Sequence, residues 1–332
     1  MWSNIPSGAV ATLSIIDTTL HLGNVRTRDL MAPAMSGFDI LPSFPTWSFL
    51  LESSTGKKAV FDLGVAHNLD SYSPPLSEGL NHEHFDHIGD ISKFPKTTNL
   101  IVGPGSKETN LPAWPTNPYS ELRDDYFAGR NVIQMDFEKQ SPELQIGPFN
   151  AFDLWGDGAV YLLSTPGHTE SHLGALVRTT NGPENNTFVL MGGDLCHHAG
   201  MLRPSPDLPL PPLVHFHMSD EIKARTKSCP GEGIPSNLFK NLNVKRGRKE
   251  DEPFFDPTSA NNMALAMDTI RKSQKADASD NIFFIAAHDE FIRDVADLYP
   301  KNANDWKTKG WREKAMWAFL ADLAPAAVGT LK

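Results

Sequence analysis

Residues 81–89 read Asn-His-Glu-His-Phe-Asp-His-Ile-Gly, so three histidines and an aspartate fall within six positions in the order His-x-His-x-Asp-His. No other stretch constrains the fold as tightly, because so many lone-pair donors need a backbone that aims them. In an extended segment side chains alternate, which puts His82 and His84 on one side, about 6–7 Å apart, and lets them chelate one cation. If the chain turns into a helix at Asp86, that carboxylate and His87 swing towards a second cation. A dinuclear site has this arrangement, with its metals about 3.5–4 Å apart. Imidazole and carboxylate without thiolate suit zinc first, with manganese, iron or cobalt as alternatives. Only 12 of 332 residues are histidine, so a chance surface cluster is a poor account of this run.

The rest of the chain can supply a folded mount. With 40% hydrophobic and 21% charged residues it is neither disordered, collagenous nor coiled-coil. A chain this long should bury about three quarters of its unfolded surface. Thirty basic against 40 acidic residues leave a net charge of −10, which repels a phosphate backbone. The basic run Lys245–Lys249 is cancelled at once by Glu250, Asp251 and Glu252 and reads as a solvated loop, so no nucleic-acid partner is expected. No apolar run approaches the ~18 residues of a membrane span, so no membrane partner is expected either. Met1 to Val10 lacks the basic start and apolar core of a signal peptide. Cys196 and Cys229, the two cysteines, encode no disulfide framework. A cytoplasmic location follows as the expectation, and oligomeric state is left open.

Short apolar runs ended by Gly, Pro or polar residues recur at Leu100–Val102, Val160–Leu163, Phe188–Met191 and Ile282–Ala287, as buried strands do. Phe49–Leu51 and Ala59–Phe61 flank Ser53-Ser54-Thr55-Gly56 and read as a hairpin. Helical periodicity is clearest at Ala260–Lys272 and Trp311–Leu323. Intermixed strands and helices predict an α/β (α+β) layered fold around one core. Pro204–Pro212, with five prolines, reads as an extended loop or lid, and Cys229–Asp256 is rich in Gly, Pro and charge. Both are expected to be insertions, near 200–256, within a single domain spanning 1–332, which ends in a C-terminal helix near 311–323.

Three further motifs follow apolar strands: Thr165-Pro166-Gly167-His168-Thr169, Gly192-Gly193-Asp194 and Ala287-His288-Asp289. Together with His-x-His-x-Asp-His, in this order, they resemble the metallo-β-lactamase superfamily over roughly residues 45 to 290. The resemblance implies a four-layer αββα sandwich and two divalent metal ions. Carried over residue by residue, it puts His82, His84 and His168 on one metal, Asp86, His87 and His288 on the other, and Asp194 between them. It also implies a water acidified from a pKa of about 15.7 to near 7, with Asp86 or Asp194 moving a proton to the leaving group. No Gly-x-Ser-x-Gly motif or phosphate-binding glycine loop competes.

The tracts Val102–Gly105, Phe152–Gly158 and Gly192–His198 look like fungal proteins related to acyl-homoserine lactonases. That likeness implies hydrolysis of a small-molecule lactone or lactam. Alternatives are a glyoxalase-type thioester hydrolase, a sulfur dioxygenase, or a non-catalytic relative. His197 stands where lactonases of the superfamily carry a tyrosine that contacts the substrate carbonyl, and a histidine there can donate a hydrogen bond, so it joins Asp86 and Asp194 as a catalytic candidate. His172 is read as a helix-face residue rather than a support for the ligands, and His215 and His217 as loop or strand polar residues. Trp47, Phe85, Trp114, Trp155 and Phe216 are candidate pocket walls.

One departure from the family pattern stands out. Asp62-Leu63-Gly64 is followed by only 17 residues before His82, with Pro74-Pro75 among them and no Val/Ile-rich run. Either Leu76–Leu80 makes a poor strand in a shortened loop, or a βα unit of about 20–30 residues is missing before His82. The second is the favoured expectation.

Overall fold

The computed structural model describes residues 2, 5–18, 22–68, 72–74, 85–182, 186–216 and 233–329. His82, His84, His217, Cys229 and the 76–80 segment lie outside the described residues.

Period-two alternation builds the first sheet. In β1 (Ala11–Asp17), Ala11, Leu13 and Ile15 are buried while Thr12 is exposed, and in β2 (Trp47–Ser53) Trp47, Phe49 and Leu51 repeat the pattern. The two strands pair antiparallel, with Leu13 opposite Leu51 and Ile15 opposite Phe49. The expected hairpin then turns β2 into β3 (Lys58–Phe61), with the Ser53 hydroxyl accepting the Lys57 N–H at 2.9 Å. A short turn, α1 (Phe85–Ile88), comes next among the described helices in this part of the chain.

β4 (Leu100–Val102) and β5 (Val132–Gln134) form a parallel pair that is hydrogen-bonded to neither larger sheet. Ala59 and Phe61 of β3 nevertheless pack on the same core as Ile101 of β4. The two units therefore border one core, with no described strand joining them.

The second sheet is built from β6 (Gln145–Ile146), β7 (Phe149–Asp153), β8 (Val160–Ser164), β9 (Leu173–Thr180), β10 (Thr187–Gly193) and β11 (Ile282–Ala286), in the order β11-β10-β9-β8-β7-β6. Its strands read as unbroken apolar runs because both faces are covered. Val160, Leu162, Val189, Met191, Phe283 and Ile285 face the first sheet, in one core with Leu13, Phe49 and Leu51. Tyr161, Leu163, Phe188, Leu190, Ile282 and Phe284 face a helical layer on the other side.

That layer contains α2 (Asn237–Lys245), α3 (Met263–Asp277) and α5 (Leu320–Gly329), whereas Trp311 and Ala315 of α4 (Trp311–Ala315) pack on the inter-sheet core. The Asn262 side chain caps α3 by accepting the Leu265 N–H at 3.1 Å, which places its start at Met263 rather than Ala260. The single helix expected over 311–323 is instead two. Arg203 captures the Met316 carbonyl at 2.8 Å, and Ala318 and Leu320 bond back only three residues, so the last turns tighten and break. Arg203 also grips both carboxylate oxygens of Asp277, at 2.6 and 2.7 Å, in a buried pair that ties the loop after β10 to α3.

One loop expectation changes in part. The two arginines of the 245–249 run are tethers: Arg246 lies over the Phe255 ring and donates to the carbonyls of Leu242, Pro33 and Phe254, and Arg248 grips Asp256, while Lys245, Gly247 and Lys249 stay exposed. The proline-rich stretch is an irregular extended loop, as expected, with Pro204, Ser205 and Leu210 buried and Pro206, Pro209 and Pro212 exposed. Among the described residues no helix is long and apolar enough to cross a membrane.

Candidate metal centre

The ligand-type side chains converge at strand ends. His168 follows β8, Asp194 follows β10 and His288 follows β11, so the paired strands of the second sheet carry all three to one edge. A register shift between Met191 and Gly193 turns the chain out of β10 just before Asp194. Gly193 sits at φ +55°, and a Cβ there would meet the His172 ring at 2.9 Å, so the turn requires glycine. His168 is propped from behind: its carbonyl accepts the Asn261 N–H at 2.8 Å, and Thr269 of α3 donates to the Pro166 carbonyl at 2.6 Å.

Asp86 and His87 arrive on α1. The Tyr72 hydroxyl accepts the Ala66 N–H and donates to the Phe85 carbonyl, both at 2.6 Å, which anchors that turn over a small apolar cluster of Ala66, Tyr72 and Phe85. Burial pushes the Tyr72 phenol up to about 12, so it stays a donor.

Asp194 is the hub. Its Oδ1 lies 2.7 Å from His288 Nε2, and its Oδ2 lies 2.9 Å from His87 Nε2, 3.2 Å from His168 Nε2 and 3.8 Å from His197 Nε2. Asp86 stands 3.6 Å from His87 and 3.7 Å from His288. Two groups of ligand atoms result, Asp86–His87–His288 and His168–Asp194–His197, each with all its atoms within 4.8 Å of one another.

Outer contacts set the tautomers of these rings. Asp62 takes up the Nδ1 side of His87 at 2.5 Å, and the Pro45 carbonyl does the same for His288 at 2.6 Å. Each ring is thereby left with Nε2 facing the centre, the usual support for a metal-bound histidine. His172 is not on a helix face: it lies in the turn before β9, where its Nε2 accepts the Asp194 backbone N–H at 3.0 Å and its Nδ1 lies 2.9 Å from the Thr165 carbonyl. Phe44 stacks on His288 with ring centroids 3.7 Å apart.

The residues fit divalent cations. His87 Nε2, His288 Nε2 and Asp194 Oδ1 are buried and make no aligned hydrogen bond among the described residues, despite their close approach. Asp62, Asp86 and Asp194 converge with no lysine or arginine paired to them among the described residues, so the site is short of positive charge. Burial works against a charge on His87, yet Asp194, Asp62 and Asp86 outweigh it and raise its pKa well above the ordinary value. Burial likewise opposes ionisation of Asp194, but His87 and His288 hold its carboxyl well below the usual range. Cations would take over that role.

Burial, with the charge of His168 next in effect, pushes His172 down to about 3. A neutral, buried histidine takes up its proton only on unfolding, so this contribution to stability is complete above pH 6.5 and is lost as pH falls towards 3. His197, also lowered by burial, acts in the same direction. His87 acts in the opposite one, since a raised pKa stabilises below pH 6.5 and fades as pH rises through the folded value. Metal-free His172→Gln should therefore show a shallower loss of unfolding free energy between pH 6.5 and 4.5 than wild type, by about 1 kcal/mol per pH unit. Urea titrations at three pH values would check it; identical slopes would show that His172 protonates freely in the folded state.

Of the expected site residues, Asp86, His87, His168, Asp194, His197 and His288 come together; His82 and His84 lie outside the described residues. His215 is exposed in the loop after Val214, and His198 turns away, its Nδ1 accepting the Gly200 N–H and its Nε2 facing Asp322 at 3.3 Å. Trp47 is fully buried between the sheets and donates to the Asp289 carbonyl, and Phe85 belongs to the cluster under α1. Trp155 packs on the inter-sheet core, Phe216 on Phe239, and Trp114 under Arg123. The ring that stacks on His288 is Phe44, for which the sequence offered no signal. Asp62 was visible only as a strand-end landmark.

No family model matches the chain. It is 36% identical to the gamma-lactamase FDB1 of Fusarium pseudograminearum, covering 96% of this chain and 84% of that one. It is 38% identical to the metallo-hydrolase mfmC of Annulohypoxylon moriforme, covering 97% and 90%. The Fusarium alignment runs over 360 positions; 96% of 332 is about 319, so roughly 40 of them face a gap in this chain. A solved quorum-quenching N-acyl homoserine lactone hydrolase matches with a TM-score of 0.50 and 15% identity, over 90% of this chain and 100% of that one, which is a likeness of fold. Strand-end ligands in this order, on this sandwich, with relatives of this extent, show that the chain is a metallo-hydrolase and belongs to the lactonase-like branch of the metallo-β-lactamase superfamily.

Proposed function

We propose that the chain opens a cyclic ester or cyclic amide with two divalent cations, zinc the first candidate. One observation carries the reading: Asp194 offers one oxygen to His288 and the other to His87 and His168, so a single carboxylate serves both ligand groups. Asp86, His87 and His288 would hold one cation. His168 would hold the other, with His82 and His84 as its expected partners, and Asp194 would bridge. Bound there, the cations supply Lewis acidity to a carbonyl and acidify water. The relatives' names, a gamma-lactamase and a metallo-hydrolase, favour ring opening of a lactam or lactone.

The chain's own residues supply position and proton transfer. Asp62 and the Pro45 carbonyl fix the rings of His87 and His288, and His172 fixes the backbone of Asp194, so little reorganisation is left for the reaction. Asp86 or Asp194 would pass a proton to the departing oxygen or nitrogen. Phe44, stacked on His288, would shield that side of the centre from water.

Elemental analysis combined with a substrate panel of lactone, lactam and thioester tests this directly. Two metal atoms per chain and turnover on the cyclic substrates are expected. Chelation should abolish turnover and lower the melting temperature, and zinc at 100 times its dissociation constant should restore about 2.7 kcal/mol of stability. A metal-loaded chain that cleaves only the thioester would overturn the substrate reading.

A further inference from the structure

We infer that His197 is itself a protein ligand to the cation held by His168 and Asp194, rather than a hydrogen-bond donor to substrate like the tyrosine of related lactonases. This rests on the two-cation reading above. His197 is buried, at 5% exposure, and its Nε2 points at the same Asp194 oxygen that His168 approaches. The separations to that oxygen, 3.8 Å from His197 and 3.2 Å from His168, suit ligands around one ion. Bonds of about 2.0–2.1 Å in a tetrahedral shell put neighbouring donor atoms about 3.3 Å apart.

The ring cannot easily turn away. His197 stacks at 12° on His288, with centroids 5.7 Å apart, and at 18° on Phe44, with centroids 6.3 Å apart. The His168 ring meets it edge-on at 4.9 Å. Stacking therefore does for His197 what Asp62 and the Pro45 carbonyl do for His87 and His288. Its Nδ1 has no hydrogen-bond partner among the described residues, so its basicity is not reinforced from outside. That makes His197 the weakest of the imidazole ligands. Added to His168, Asp194 and the expected His82 and His84, it would bring that cation to five protein donors, a coordination number that zinc can reach.

The test uses cobalt(II) alone as the probe, on the full chain. His197→Phe preserves the stacked ring and removes the lone pair; His197→Asn is the second variant, should the first fail to fold. Cobalt per chain, the visible d–d spectrum and competition with a chelator are the readouts. Both variants should lose one of two cobalt ions at chelator concentrations at least tenfold below those needed for wild type, with a changed spectrum and an unchanged metal-free melting temperature. Two cobalt ions held with wild-type affinity and spectrum in a folded variant would overturn the inference while leaving the function reading intact. A wild-type chain that takes up no cobalt would overturn both.

Discussion

Asp194→Ala should abolish hydrolysis, with a loss of at least three orders of magnitude, equivalent to about 4 kcal/mol of barrier. The size follows from its position: one carboxylate touches His288 through Oδ1 and His87 and His168 through Oδ2. Removing it disconnects both ligand groups together and leaves His87 facing Asp62 and Asp86 alone. Bound metal should fall from two atoms per chain to one or none. Asp194→Asn keeps the shape but turns an amide N–H₂ towards the centre, and should lose metal almost as completely. Because a buried charge cluster that loses one member is destabilised by several kcal/mol, melting curves must accompany the assays. Wild-type turnover in a folded Asp194→Ala protein would remove the bridging role.

Grafting a strand-bearing segment into the chain between residues 64 and 85 should raise its stability by on the order of 3–5 kcal/mol. Among the described residues the first sheet ends at β3, the β4–β5 pair stands apart from it, and both pack on the same core. A parallel strand between them would pair with both edges and bury about three apolar side chains, each worth ~1.5–3 kcal/mol before the entropy of ordering is subtracted. Val60 of β3, now 39% exposed, lies beside the position such a unit would cover. Urea unfolding is the measurement: both the midpoint and the slope should increase, because the slope tracks surface exposed on unfolding. An unchanged midpoint would mean that the short connection is the complete one.

The candidate ligands were legible because each is announced locally. His168, Asp194 and His288 stand one to four residues past the end of an apolar strand, and a strand end is a short-range feature that composition and periodicity reveal. The sandwich was legible for the same reason: strands covered on both faces must be apolar throughout. Helix ends were read less well. The break between α4 and α5 depends on Arg203 reaching the Met316 carbonyl, 113 residues away. The 245–249 run looked solvated because its neighbours in sequence are acidic, whereas its partners include Pro33, 213 residues from Arg246.

By itself, then, the chain's order of residues settled which side chains could bind a cation and on which kind of element each would sit. Only the folded molecule decided how they are oriented: Asp62 against His87, Pro45 against His288 across 243 residues, His172 under Asp194, and Phe44 over His288. The physical reason is that a ligand's identity follows from its own chemistry and its nearest neighbours along the chain. Its tautomer, charge and aim are set by whatever the packed sheets bring within about 3 Å of it, and no local pattern encodes that.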